Sequence, residues 1–228
     1  MSINPELYLI LICYLFGSIP FGLVISKILK KDDPRSLGSK NIGATNILRV
    51  SGVKLGFLTL FFDILKAFIP IKVISLSNSL NLEIAIISVF IGHLFPFWIK
   101  FKGGKGIAVL IGAILAYKIS FALLFLLTWI IVAILTRYSS LAALVACIFT
   151  FLFMLIEGDK LVPVMFVMLI LVIFKHYNNI KRLIRGKETK IILKKVIASS
   201  TSPLMIFLSI FFVITTFSNS NKDPSISN

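Results

Sequence analysis

Charge is what this chain has least of. Asp, Glu, Lys and Arg make up 14% of its 228 residues, against about a quarter in a soluble domain, so a water-facing surface cannot be drawn over most of the molecule. Acids are scarcest: nine Asp and Glu stand against 24 Lys and Arg, a formal net charge of +15. Such an excess can mark a nucleic-acid partner, but here the basic residues sit in short polar gaps between long apolar runs. That distribution belongs to a membrane protein and argues against nucleic acid. The two cysteines, Cys13 and Cys147, each lie inside an apolar stretch, where they read as small packing residues rather than a disulfide. No CxxC or HExxH spacing occurs, so no metal site and no cofactor are expected. There is no internal repeat and no soluble domain boundary. Residues 1–6 carry no Lys or Arg, so the first apolar run lacks the basic flank of a signal peptide and reads as a retained helix.

What the chain has in abundance is hydrocarbon: 58% of residues are hydrophobic and the mean hydropathy is +1.01. Apolar runs at 7–29, 55–76, 82–99, 107–117, 121–136, 141–156, 161–174 and 196–217 give eight candidate spans. The fold class is therefore an all-α integral membrane protein, one helical bundle. The first run should kink at Pro20, which membrane helices tolerate. The run at 107–117 is short for a bilayer, yet leaving it out would invert everything downstream. With the N-terminus outside, the loops at 30–54, 100–106, 137–140 and 175–195 all fall on the cytoplasmic side and hold most of the basic residues. The opposite side keeps Lys118, Lys160 and Lys222. The asymmetry follows the positive-inside rule.

Those four basic loops carry the candidate chemistry. The first contains Gly38-Ser39-Lys40-Asn41-Ile42-Gly43-Ala44-Thr45-Asn46 and then Arg49. Its small residues let backbone approach an anion, Ser39, Asn41 and Thr45 offer neutral hydrogen bonds, and Arg49 offers a bidentate charged grip on phosphate. The plainer alternative is a polar loop opening a helix, with Thr45 or Asn46 as the cap. The second loop, Lys102-Gly103-Gly104-Lys105-Gly106, stands directly before an apolar helix and has the makings of a phosphate cradle. It is not a Walker A sequence, because no Gly precedes at the required distance and no Ser or Thr follows Lys105. A basic turn meeting anionic lipid is its alternative. The third loop holds Ser139 and Ser140; the fourth holds His176 and Asn179, three apart and on one face if helical. Inside the second run, Asp63 and Lys66 also lie three apart. In hydrocarbon they must pair, bond to neighbouring loops, or serve a proton pathway. His93 reads as a buried hydrogen-bonding residue that positions the loop after Pro96.

Taken together the segments resemble the bacterial membrane-bound acyl-phosphate:glycerol-3-phosphate acyltransferases, the PlsY family. The similarity rests on GSKNIGATNILR at 38–49, DILK at 63–66, GHLFPFWIKFKGGKGIA at 92–108, RYSSLAA at 137–143 and HYNNIKRLIRGKE at 176–188, in that order. The resemblance implies a seven-helix bundle with a cytosol-facing site in the bacterial inner membrane. It implies transfer of an acyl group from acyl phosphate to the 1-hydroxyl of glycerol 3-phosphate, giving lysophosphatidate. Its partners would be those two substrates and membrane lipids. By similarity Ser39, Asn41, Thr45, Arg49, Gly103, Gly104 and Lys105 hold phosphate, while Lys105, Ser140, His176 and Asn179 are catalytic. Two features depart from the pattern: Ala143 stands where a second Ser is expected, and residues 196–228 lie beyond it as an extra helix and polar tail. The domain division expected is thus 1–195 and 196–228.

Acyl phosphate is already activated, so a site of donors suffices. No GxSxG elbow or Ser-His-Asp order is present. The hydroxyl proton goes either to a substrate phosphate, as the resemblance implies, or to His176. Two other classes compete: an organic-phosphate transporter, which should show paired halves and a mid-membrane site, and a structural partner of another membrane enzyme.

Overall fold

A computed structural model describes residues 5–76 and 82–191. Within them the elements are α1 (Pro5–Ser18), α2 (Phe21–Ile28), α3 (Ala44–Ser51), α4 (Val53–Leu76), α5 (Leu82–Leu94), a 3-10 turn (Phe97–Ile99), α6 (Ile107–Tyr117), α7 (Ile119–Thr136), α8 (Ser139–Ile156), α9 (Val162–Lys175) and α10 (Tyr177–Ile184). No strand occurs among the described residues. Helix is what a bilayer demands, because every backbone polar group there must be satisfied within its own segment.

Each of the seven apolar runs before residue 192 becomes a helix or a bent helix pair. Among the described residues, by length and composition alone, three helices qualify as membrane-crossing, or up to five when each bent pair counts as one span. The first run breaks at Ile19-Pro20, where α1 and α2 meet at 44°; the missing proline amide and its ring interrupt the ladder. The pair α9–α10 bends by 59° at His176. Helix α4, 24 residues long, carries Pro70 and the charged Lys54, Asp63, Lys66 and Lys72. Lys72 is exposed near its end, a further basic residue within a run whose charges the sequence reading took to be Asp63 and Lys66. The expected span at 196–217, and with it the proposed second segment, lies outside the described residues.

Helix α1 packs along α5, α4 along α6, and α7 along α8. Small residues set the close crossings: a Cβ on Gly17 would overlap the Val89 carbonyl, one on Gly92 the Tyr14 carbonyl, and one on Gly112 the Ile64 carbonyl. Without a hydrophobic force between helices in lipid, this backbone approach supplies the packing. Outward faces stay apolar, with Leu127, Ile131 and Leu135 of α7, Phe149 and Ile156 of α8, and Phe166 and Phe174 of α9 exposed.

The 11-residue α6 is about 17 Å long, too short for a hydrocarbon core of about 30 Å. It is buried over most of its length, and its far end is fixed by polar contacts. Tyr117 Oη lies 3.1 Å from both Asp159 carboxylate oxygens, and Lys118 Nζ lies 2.7 Å from Glu157. The turns at 118 and 157–160 therefore share one end of the bundle, while the four basic loops meet at the other.

Candidate active site

The first loop is folded around one residue. Asn46 is 1% exposed; its Nδ2 faces the carbonyls of Pro34 at 2.8 Å, Leu37 at 3.1 Å and Asn41 at 2.8 Å. Its Oδ1 accepts the Ser39 amide at 2.8 Å. This corrects the capping alternative: Gly43 is the N-cap of α3, without a side-chain cap bond, and Asn46 ties the loop from inside. Gly52, at φ +97°, separates α3 from α4 in a conformation that disfavours any other residue. The result places Ser39 and Asn41 on a cavity wall.

That cavity, about 170 Å³, is lined by Ser39, Lys40, Asn41, Gly103, Gly104, Lys105, Lys175, Asn178, Asn179 and Arg182. Three of the four loops supply its wall. Lys105 Nζ donates to Asn179 Oδ1 at 2.6 Å, and Asn179 Nδ2 donates to Glu188 Oε1 at 2.7 Å. Ser140 Oγ donates to the same Glu188 oxygen at 3.0 Å, bringing in the third loop, and Arg182 Nε donates to Oε2 at 2.7 Å. Glu188, the lone acid of the 175–195 segment, is thus the hub that joins Ser140, Asn179 and Arg182. The sequence reading gave it no role; its isolation among lysines and arginines was the available signal.

Of the residues singled out from sequence, Ser39, Asn41, Gly103, Gly104, Lys105 and Asn179 share the cavity, and Ser140 joins through Glu188. Three stand outside its wall. Thr45 Oγ1 lies 3.3 Å from Ser139 Oγ. Arg49 donates to the Thr189 carbonyl at 3.1 Å. His176 is 2% exposed, with Nδ1 2.8 Å from the Val172 carbonyl; a proton on Nδ1 donates there and leaves Nε2 an acceptor. Arg49 and Arg137 pin the segment after α10, since Ile191 N donates to the Arg137 carbonyl at 2.7 Å.

The glycines act differently from the cradle of free amides that their spacing suggests. Gly103 N donates to the Leu94 carbonyl at 3.2 Å and Gly104 N to the His93 carbonyl at 3.1 Å. Both amides are thereby engaged with α5, and what the glycines leave is clearance.

Burial and neighbours tune the groups here. Burial pushes the Lys105 ammonium down to about 8, with Arg182 and Arg49 adding to the effect and Glu188 opposing it. Burial, reinforced by Lys105, lowers His176 to about 4, against the Val172 carbonyl and Glu188, which raise it; the imidazole is neutral at pH 7. Burial would raise the Glu188 carboxyl, but hydrogen bonds from Arg182, Asn179 and Ser140 outweigh it and hold the group below its usual range. At neutral pH the site is a cationic pocket whose one carboxylate is already engaged. Such a pocket selects anions.

An all-helical membrane bundle with a cationic cavity at one end, walled by three loops and braced by the fourth through Glu188, is the frame of a membrane-embedded protein with an anion site. The chain belongs to the glycerol-3-phosphate acyltransferase family, whose model matches residues 7–186, and it is an acyltransferase of the PlsY type, in phospholipid biosynthesis. The glycerol-3-phosphate acyltransferase of Bartonella quintana (strain Toulouse) is 46% identical over 188 residues, covering 79% of this chain and 89% of that protein. That of Rhodopseudomonas palustris (strain HaA2) is 44% identical over 197 residues, 86% of this chain and 100% of its own. A crystal structure of PlsY (YgiH), an integral membrane glycerol 3-phosphate acyltransferase in its glycerol 3-phosphate form, superposes with a TM-score of 0.81. It is 38% identical and covers 86% of this chain and 100% of that one. The transport and structural-partner readings fall away with this assignment.

Proposed function

We propose that the chain transfers an acyl group from an acyl phosphate to the 1-hydroxyl of glycerol 3-phosphate, releasing inorganic phosphate and lysophosphatidate. The observation that carries this reading is the cavity, where Lys105, Lys175 and Arg182 meet the neutral donors Ser39, Asn41, Asn178 and Asn179. Both substrates are phosphorylated, and both need cations and donors more than a nucleophile. Lys105 supplies charge, Ser39 and Asn41 hydrogen bonds, and Gly103 with Gly104 the room for a phosphate to approach. Thr45 and Arg49 are assigned to the same anion site, with Arg49 turning its guanidinium from the Thr189 carbonyl to a bound phosphate.

In the reaction the hydroxyl oxygen attacks the acyl carbon, the bond from that carbon to the phosphate oxygen breaks, and phosphate leaves. The hydroxyl proton goes to a substrate phosphate oxygen. A phosphate monoester has its second pKa at about 6, whereas His176 sits at about 4, so phosphate is the stronger base. His176 stands outside the cavity wall, so its ring has to turn toward the cavity for Nε2 to orient the hydroxyl, while Asn179 holds Lys105 in place and Ser140 fixes Glu188 behind Asn179. Donors at the cavity wall meet the tetrahedral oxyanion. We assign the cavity end to the cytoplasmic face of the bacterial inner membrane, on the distribution of basic loops. Both native cysteines are buried, so Ser36→Cys should label from the cytoplasm and Lys160→Cys from the other side.

Purified protein given glycerol 3-phosphate and acyl phosphate, acyl-CoA or acyl carrier protein in parallel tests the donor. Lysophosphatidate formation matched by phosphate release, with acyl phosphate only, is expected. Turnover with another donor and none with acyl phosphate would sink the reading.

A further inference from the structure

Buried in the bundle behind the cavity is a second cluster of charged and titratable side chains that the proposed reaction does not use. Lys66 is 4% exposed, Asp63 2% and His93 4%. The Lys66 ammonium is ringed by three acceptor atoms: Asp63 Oδ1 at 2.7 Å, the Ile19 carbonyl at 2.6 Å and His93 Nδ1 at 3.0 Å. An ammonium has three hydrogens and only donates. It is thus ion-paired to Asp63 and hydrogen-bonded to the other two, and His93 Nδ1 must be the acceptor, which puts the imidazole proton on Nε2. The Ile19 carbonyl lies 47 residues away in the chain, at the α1–α2 break, where it also accepts the Phe21 amide at 3.1 Å.

The cluster leads directly to the second loop. His93 Nε2 lies against Gly104, where a Cβ would overlap the ring. The His93 carbonyl accepts the Gly104 amide at 3.1 Å. The next carbonyl, Leu94, accepts the Gly103 amide at 3.2 Å and Lys175 Nζ at 2.7 Å. Gly106, at φ +89°, caps α6 immediately afterwards, so Lys105 is held between two fixed points.

We infer that Asp63, Lys66 and His93 form a buried positioning unit that fixes the height of the Gly103-Gly104-Lys105 loop and so places the Lys105 ammonium at the cavity. Asp63 holds Lys66, Lys66 fixes the tautomer and rotation of His93, and the His93 ring and carbonyl together seat Gly104. None of the three lines the cavity itself; they act through the loop that does. The glycine at 104 is the counterpart of the His93 ring rather than an amide donor to substrate. The inference rests on the reading of Lys105 as an anion-gripping residue.

The two surfaces in contact allow a test that simple destabilisation would not mimic. His93→Asn keeps an acceptor for Lys66 near the Nδ1 position and removes the half of the ring facing Gly104. Gly104→Ala adds the clashing methyl. In the full-length enzyme, Gly104→Ala should raise KM for glycerol 3-phosphate about tenfold and leave kcat within about threefold, the split expected for displaced binding groups. His93→Asn should raise KM by about threefold or less, and the double variant should match His93→Asn instead of multiplying the two losses, the signature of coupled neighbours. Asp63→Asn, assayed separately, should raise KM with little change in kcat. Multiplicative losses in the double variant, or an unchanged KM in Asp63→Asn, would overturn the inference. Lys105→Ala in the same assay keeps the questions apart: an unaffected Lys105→Ala sinks the reading of the site, while a damaged Lys105→Ala with multiplicative losses sinks the positioning unit alone.

Discussion

Two lysines, Lys66 and Lys105, show how the same side chain is put to opposite uses. Lys66 is enclosed, ion-paired with Asp63 and hydrogen-bonded to the Ile19 carbonyl and His93. Lys105 has one close partner, Asn179 at 2.6 Å, and faces a cavity. The first arrangement leaves nothing for a ligand and holds neighbouring structure in place. The second leaves charge unspent, which is what an anion site requires. The acids differ in the same way: Asp63 serves one lysine in hydrocarbon, while Glu188 is shared by Ser140, Asn179 and Arg182 and balances a site that must stay net positive.

Breaking the closed cluster should have the largest effect on stability. Lys66→Met leaves Asp63 as an unpaired carboxylate in the bundle, a loss of about 3–5 kcal/mol for a buried pair; thermal unfolding in detergent should show a large fall or no folded protein. Glu188→Gln tests the open cluster. It keeps the shape but removes the charge that fixes Arg182 and Asn179, so kcat/KM should fall by about tenfold while the protein remains folded, since a charged hydrogen bond contributes about 1.5–3 kcal/mol.

A pH series sharpens the comparison. Lys105, lowered from 10.5 to about 8, is protonated below that value, so KM for glycerol 3-phosphate should climb as pH rises through 8. The linkage to stability has the opposite sign. Between about 8 and 10.5 the unfolded chain binds the proton that the folded chain has lost, so folding stability gains with pH across that window. His176, at about 4, should give no imidazole titration between pH 5.5 and 8 by NMR. The smallest effect belongs to the far end of the bundle: Tyr117→Phe removes one hydrogen bond to Asp159 and should change stability by about 1 kcal/mol or less, with activity unchanged.

Much of this could be read from residue order. Apolar run lengths located the helices because a bilayer fixes the length of a span, and the kink at Pro20 followed from a missing amide. The loops that meet at the cavity were legible as basic, glycine-rich gaps on one side. What the sequence did not yield was contact across the fold. Asn46 looked like a cap and is instead the post around which the 34–41 loop closes. Gly103 and Gly104 looked like amide donors and are spacers, because carbonyls of α5, nine and eleven residues earlier in the chain, take their hydrogens. Nothing in the sequence sets Lys175 and Arg182 apart from the other basic residues of the 175–195 segment, yet both line the cavity. Glu188 carried no periodicity at all; its role depends on Ser140, 48 residues earlier.

The central claim is that Lys105 is the unspent charge on which substrate binding depends. Steady-state turnover of acyl phosphate and glycerol 3-phosphate by Lys105→Met, with thermal unfolding measured on the same preparation, tests it most directly. The account predicts a fall in kcat/KM of about a hundredfold or more, the scale of losing a preorganised charged donor, with an unfolding temperature close to that of the unaltered enzyme. Full turnover by a folded Lys105→Met protein would contradict it.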